Sequence, residues 1–263
     1  MRKMMLPLVI AAAVGGASAS AMAEFLDFEV TETSVPGAVA NVFTADKLNG
    51  GYTEFLGPTG PGTFSAAAIG NLGQFFKNEG TVLVPSQLNG FGASGYSMYA
   101  VFTATGNIVG PNLFSGPTGS FYLYLDPNSD TTTGDFLAAG SHVGLPAVDA
   151  LGSADDYLLA STTTSVFGTG NLNGPPGAFD ITFKDFVLTA AGSAYFTAPV
   201  PFHMVVNING DYDGFVTDPA TGIARVTGDV SAVFKVPEPG GLALVGVALA
   251  GLGLTQRKRK LTA

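Results

Sequence analysis

The sequence predicts an all-β protein whose body is an antiparallel two-sheet sandwich of the jelly-roll kind, placed between two short targeting segments. Two observations predict the body: apolar and polar residues alternate with period two, and Gly, Asn and Pro cluster between the alternating runs. A third observation is that the longest apolar stretches lie near the two ends. The 263 residues therefore divide into segment 1–23, body 24–235 and segment 236–263.

The first segment has the composition of a secretory signal peptide. Arg2 and Lys3 supply the positive start, and the apolar run Met4–Val14 follows. A stretch of small residues then ends in Ala21-Met22-Ala23, which is a cleavage site of the A-x-A type. Cleavage after Ala23 makes Glu24 the first residue of the mature protein.

The body contains short runs in which side chains of opposite character alternate. In the run that begins at Phe179, the residues Phe179, Ile181 and Phe183 face one side of a strand, because successive side chains of a strand point to opposite faces. No stretch of the body has a convincing helical pattern. The predicted strands are Phe25–Val30, Tyr96–Ala104, Ser120–Leu125, Phe179–Leu188, His203–Asn209 and Val230–Phe234.

Between the predicted strands lie dipeptides that favour tight turns. Asn and Gly tolerate the positive φ that hairpins need, and Pro presets other turn types. The predicted turns are Asn49-Gly50-Gly51, Asn89-Gly90, Gly116-Pro117, Asn173–Gly177 and Asn209-Gly210-Asp211.

The last segment has three parts in a fixed order. Val236-Pro237-Glu238-Pro239 interrupts any helix or central strand. The apolar run Leu242–Leu254 follows, and the basic run Arg257-Lys258-Arg259-Lys260 comes after it. As a helix, Pro239 to Thr255 would be about 25 Å long, which is short for a hydrocarbon core of about 30 Å. Basic residues stay on the cytoplasmic side, so we expect a short, temporary anchor with the body outside the membrane.

Composition excludes several function classes. Between Lys3 and Arg257 the chain has five basic residues and all 20 acidic ones, a net charge of −15, which opposes nucleic-acid binding. The chain has no Cys, so disulfides and thiol nucleophiles are excluded. His142 and His203 are the only two histidines, which leaves little room for acid–base catalysis. We therefore expect a protein that is not an enzyme.

One loop has the oxygen-rich pattern of a calcium site. Asp126, Asn128 and Asp130 alternate along Asp126–Asp135, as in loops that supply oxygen ligands to Ca²⁺. The loop departs from the EF-hand pattern in its glycine position and lacks the final Glu. The alternative is a turn whose side chains bond their own backbone. No other cofactor is expected.

Lesser acidic pairs and aromatic residues are further candidates. Asp155-Asp156 and Asp211-Tyr212-Asp213 could complete a metal site or act as paired carboxylates in glycoside hydrolysis, although solvated loop acids fit them as well. Tyrosines could present rings to a sugar, or they could pack inside the sandwich. These tyrosines are Tyr96, Tyr99, Tyr122 and Tyr124.

The order of motif, apolar run and basic run resembles the PEP-CTERM sorting signal of Gram-negative bacteria. The resemblance implies export, a transient hold in the inner membrane, and processing by a membrane protease of the exosortase type. The alternative is a plain C-terminal membrane anchor. After processing, we expect the protein at the cell surface or in the extracellular matrix.

The body is similar to the flocculation-associated PEP-CTERM proteins of the PepA group. The segments that carry this likeness are Glu32–Ala38, Phe43–Tyr52, Tyr124–Asp130, Asp156–Ala160 and Phe202-His203-Met204. The likeness implies a secreted, matrix-associated protein that promotes cell aggregation. Together with the sorting signal and the missing catalytic residues, it leads us to expect a non-catalytic protein that retains or bridges exopolysaccharide and so promotes flocculation or biofilm formation. The alternative is an exported enzyme that acts on polysaccharide, similar to a glycoside hydrolase.

Overall fold

The computed structural model describes residues 25–89, 95–110, 113–131, 153–167, 170–171, 178–217, 219 and 222–234. The predicted signal peptide with its cleavage site at Ala23 and Glu24 lies outside these residues, as do segment 236–263 and His142. The predictions made for those parts are therefore not tested by the fold described below.

The described residues form fifteen strands, and each of the six strands predicted from the sequence overlaps at least one of them. The predicted strand Phe179–Leu188 is divided into two strands, because the backbone leaves the strand conformation at Asp185. A helix of six residues, α1 (Ala190–Tyr195), lies between two of them, and Glu32–Ser34 and Ser153–Asp155 are 3-10 turns. The strands are β1 (Phe28–Thr31), β2 (Val42–Ala45), β3 (Lys47–Gly60), β4 (Thr63–Lys77), β5 (Val82–Val84), β6 (Ser97–Gly110), β7 (Leu113–Asp126), β8 (Tyr157–Thr162), β9 (Thr164–Phe167), β10 (Gly170–Asn171), β11 (Ala178–Lys184), β12 (Val187–Leu188), β13 (Phe196–Ala198), β14 (Met204–Thr217) and β15 (Ala224–Phe234).

The strands form two antiparallel sheets of unequal size, which confirms the predicted all-β fold class. The larger sheet has twelve strands, and its main order is β10-β11-β14-β15-β3-β4-β6-β7-β8-β12. The short strand β10 pairs with both β11 and β7, so this sheet curls back on itself. The smaller sheet has the order β13-β1-β2.

The curl of the larger sheet encloses the main hydrophobic core. Met98, Ala100 and Phe102 of β6 are buried in this core, and the residues between them face the other side of the sheet, as period two predicts. Phe102 pairs with Phe121 of β7, and their rings stack with centroids 6.2 Å apart. The smaller sheet adds Phe28, whose ring packs against other core rings. A second, smaller cluster lies on the opposite face of β3, β4 and β6.

Three of the predicted turns were wrong, because they lie inside long strands. Asn49-Gly50-Gly51 is part of β3, Gly116-Pro117 of β7, and Asn209-Gly210-Asp211 of β14. At Gly50 the pairing of β3 with β4 shifts register, and a Cβ there would meet the carbonyl oxygen of Asn71 at 1.7 Å. Glycine at this position allows the close backbone approach beside a bulge in which β4 contributes the extra residue, Gly73, so β3 continues through Gly50 instead of ending there.

The helix α1 was also not expected from the sequence. Its N-cap is Thr189, whose hydroxyl accepts a hydrogen bond from the backbone N–H of Gly192 over 3.1 Å. A Cβ on Gly192 would meet the Leu159 carbonyl oxygen at 1.9 Å, so this glycine lets the helix lie directly on β8. The segment is too short to show a helical period, and the cap and the packing on β8 stabilise it.

Candidate functional site

The predicted calcium loop begins at the end of β7 with a buried carboxylate. Asp126 is fully buried, and its Oδ1 accepts a hydrogen bond from the backbone N–H of Asn128 over 3.0 Å. Its Oδ2 accepts from the backbone N–H of Thr131 over 2.9 Å and from the Ser97 hydroxyl over 3.1 Å. Both oxygens therefore hold the loop in shape, as in an Asx turn.

The other two predicted ligands are exposed and differ from Asp126 in their surroundings. The side-chain amide of Asn128 donates to Oδ2 of Asp155 over 2.5 Å, and Asp130 faces solvent. Within the part of the chain that the structure describes, no group of three or more His, Cys, Asp or Glu is placed to hold a metal ion. Calcium binding at this loop stays a prediction, and the geometry favours the alternative of a self-bonded turn.

The acidic pair Asp155-Asp156, which the sequence indicated as a possible second part of a metal site, lies beside this loop. Oδ2 of Asp156 accepts hydrogen bonds from the Tyr99 hydroxyl over 2.5 Å and from the Thr131 hydroxyl over 2.9 Å, while its Oδ1 is buried without a hydrogen-bond partner. Burial raises the pKa of Asp156, and the charges of Asp126 and Asp155 act in the same direction. The hydrogen bonds from Tyr99 and Thr131 oppose this shift.

Replacing Asp126 and Asp130 separately with asparagine tests the two interpretations of the loop. We expect D126N to lower the melting temperature equally in calcium and in a chelator. Both oxygens of Asp126 accept hydrogen bonds, and asparagine replaces one of them with an NH₂ group, which would face a donor and could not accept its hydrogen bond. We expect D130N, the exposed control, to have little effect. If calcium raises the melting temperature of the wild type and both variants reduce this rise, calcium binds the folded state at this loop. Thermal unfolding in the two conditions measures this.

A second buried carboxylate was not found by sequence reasoning. Glu32 is fully buried, and its Oε1 accepts from the Tyr96 hydroxyl over 2.9 Å and from the backbone N–H of Gln87 over 2.7 Å. Its Oε2 accepts from the side-chain amides of Asn41, over 2.7 Å, and of Gln87, over 3.0 Å. Four donor groups from three residues, which lie 9, 55 and 64 positions along the chain from Glu32, therefore meet at one side chain, and no local sequence pattern indicates such a meeting.

The Glu32 network extends to a second buried tyrosine. The Tyr195 hydroxyl lies 2.6 Å from the Tyr96 hydroxyl, and the two rings pack edge to face. Burial raises the pKa of both tyrosines, and the nearby Glu32 carboxylate adds to the shift. Both hydroxyls therefore stay protonated and serve as fixed hydrogen-bonding groups. Tyr195 also lines a cavity of about 110 Å³ whose other walls are mainly apolar, including Val35, Leu125 and Leu159.

The four tyrosines considered as sugar-binding groups differ in their exposure to solvent. Tyr96 and Tyr99 are buried, so their rings do not lie on the surface. Tyr122 and Tyr124 are half-buried on the outer face of β7. Only the second pair keeps the geometry that the sequence hypothesis required.

Comparison with known proteins identifies the C-terminal segment. Residues 235–260 match the PEP-CTERM protein-sorting motif. The chain carries a PEP-CTERM sorting signal. This match covers Val236-Pro237-Glu238-Pro239 and the basic run through Lys260, and it indicates an exported cell-surface protein that an exosortase-type enzyme processes. No curated protein and no solved structure matches the chain.

The membrane prediction rests on the same segment. None of the helices in the described ranges is long and apolar enough to cross a membrane. The apolar run Leu242–Leu254 of the PEP-CTERM segment lies outside those ranges, so its role as a short anchor stays a prediction. The likeness of the body to the PepA group also stays a prediction.

Proposed function

We propose that this PEP-CTERM protein is a non-catalytic matrix protein that retains exopolysaccharide at the cell surface and so promotes flocculation or biofilm formation. The sorting motif at 235–260 is the observation that carries the proposal, because it indicates an exported protein at the cell surface, where contact with exopolysaccharide can occur. The predicted likeness of the body to flocculation-associated proteins supports the specific role.

Three buried acids of the body hold its loops in place, which supports a role as a rigid binding scaffold. Glu32, Asp46 and Asp126 are all buried, and each accepts hydrogen bonds from backbone N–H groups of loops. For Asp46 the donors are Glu79 and Gly80, at 2.6 and 3.0 Å. Acids that hold loops in this way stabilise a fixed surface, and each of their carboxylate oxygens already accepts at least one structural hydrogen bond.

Deleting the gene tests the proposal. We expect cells without the protein to stay dispersed while the wild type settles, because the matrix loses a component that holds polysaccharide at the surface. The full chain should restore settling, and a chain that stops at Lys235 should not, because it lacks the sorting motif. Intact mass of the protein recovered from flocs should show a start at Glu24 and no Arg257–Lys260 tail.

Two outcomes contradict the proposal in different ways. Unchanged settling of the deletion strain would remove the role in flocculation. New reducing ends, formed when the purified protein is incubated with the cell's own exopolysaccharide, would favour the alternative of an exported polysaccharide-acting enzyme.

A further inference from the structure

The outer face of β6 and β7 carries a continuous row of uncharged side chains. The two strands pair antiparallel, and the residues that face away from the main core meet in register. We call these residues the outer stripe. Its four facing pairs are Tyr99 with Tyr124, Val101 with Tyr122, Thr103 with Ser120, and Thr105 with Thr118.

One end of the outer stripe is aromatic, and a buried tyrosine supports its accessible rings. The rings of Tyr99 and Tyr124 stack, with centroids 5.1 Å apart and an angle of 13° between their planes. Tyr99 is buried, and its hydroxyl donates to Asp156, so it forms a fixed support. Tyr124 and Tyr122 are half-buried, which leaves part of each ring accessible. Accessible aromatic rings that are already ordered can bind a flat apolar surface at a low entropic cost.

The other end of the outer stripe is a ladder of hydroxyl groups. The hydroxyls of Thr103 and Ser120 lie 2.8 Å apart, and those of Thr105 and Thr118 lie 3.3 Å apart. Thr105 and Thr118 are exposed, and Thr103 and Ser120 are half-buried. Each hydroxyl can donate one hydrogen bond and accept two, so each pair keeps bonding capacity for a ligand.

The charge of the outer stripe decides the kind of ligand. None of its eight side chains is charged, although the chain between Lys3 and Arg257 carries 20 acids and five bases. An anionic polymer would be repelled by the surrounding body, and a cationic one would bind at the acidic surfaces instead. A ligand that matches this surface is neutral, has apolar ring faces and carries many hydroxyl groups. Neutral sugars have all three properties.

We propose that the outer stripe binds a neutral segment of a polysaccharide, with sugar rings on Tyr122 and Tyr124 and sugar hydroxyls on the Ser/Thr ladder. From Tyr99 to Thr105 the stripe extends about 20 Å at about 3.3 Å per residue, long enough for several sugar units. The inference rests on the proposed function and names the class of polysaccharide and its site.

Binding of fractionated exopolysaccharide to the exported protein tests the proposal. The cell's own exopolysaccharide is separated into neutral and acidic fractions by anion exchange, and each is titrated against wild type and variants. We expect the neutral fraction to bind, and Y122A and Y124A each to weaken binding by about three- to tenfold through the lost ring contact. Y122F keeps the ring and should bind like the wild type.

Two further variants separate loss of contact from loss of fold. Thr118 is exposed, so T118A should weaken binding of the neutral fraction without lowering the melting temperature. Tyr157 is exposed at β8 and pairs with the core-facing Leu125, so it lies on the opposite face, and Y157A should leave binding unchanged.

Each other result overturns the inference. Binding of the acidic fraction alone would refute the neutral ligand while leaving polysaccharide retention in place. Neutral binding that persists in Y122A, Y124A and T118A would place the site elsewhere. Failure of both fractions to bind, with settling still dependent on the gene, would refute a polysaccharide partner altogether.

Discussion

Replacing Glu32 with alanine should lower the free energy of unfolding by at least about 3 kcal/mol. The substitution removes the acceptor of the buried Tyr96 hydroxyl and of the half-buried donors of Gln87 and Asn41, and each orphaned donor costs about 1–3 kcal/mol. Glu32→Gln keeps the size of the side chain but places an NH₂ group against donors, so its loss should be intermediate. Denaturant unfolding of the purified body measures these differences.

An exposed acid provides the matched control for Glu32. Glu79 is exposed, and its contact with Asp46 is made through the backbone N–H, so Glu79→Gln should change stability by less than about 0.5 kcal/mol. Equal effects of Glu32→Gln and Glu79→Gln would show that the Glu32 network does not stabilise the fold.

Stability of the body should fall as pH rises from about 4.5 to about 8, because of Glu54. This residue lies on the core-facing side of β3, between Tyr52 and Leu56, and pairs with Ala68 and Val226. Burial raises the pKa of Glu54 to about 8 from its ordinary value of 4.5. In this interval the folded state keeps a proton that the unfolded state has released, so unfolding becomes more favourable with rising pH. The full difference is on the order of 4–5 kcal/mol at about 1.4 kcal/mol per pH unit.

Glu54→Gln isolates this contribution from the repulsion among the other acids. Glutamine resembles the protonated carboxyl group but does not titrate, so the variant should lose much less stability between pH 5 and pH 8.5. Glu79→Gln should keep the slope of the wild type. Parallel pH profiles for Glu54→Gln and the wild type, measured by denaturant unfolding, would contradict the assignment.

Local patterns in the sequence predicted the fold class, the sorting motif and the six strand segments named above. Alternation in Tyr96–Ala104 and Ser120–Leu125 predicted two strands whose inner faces form the core, since period two depends only on neighbouring residues. The PEP-CTERM motif is similarly local, because its proline motif, apolar run and basic run follow one another along the chain. For the same reason, the sequence identified Asp126 as the start of an oxygen-rich loop.

Tertiary structure decided how the strands associate and which polar groups are buried in hydrogen bonds that stabilise the fold. The sequence predicts a turn at Gly50, but pairing with β4 places this residue opposite a bulge and inside a strand of fourteen residues. The roles of Glu32 and Glu54 depend on partners and burial contributed by β4, β15 and distant loops. Likewise, Tyr99 is a buried support and Tyr124 an accessible ring only because their strands pair in one register. Such roles arise from contacts between residues far apart in the chain, which composition and spacing along the sequence do not specify.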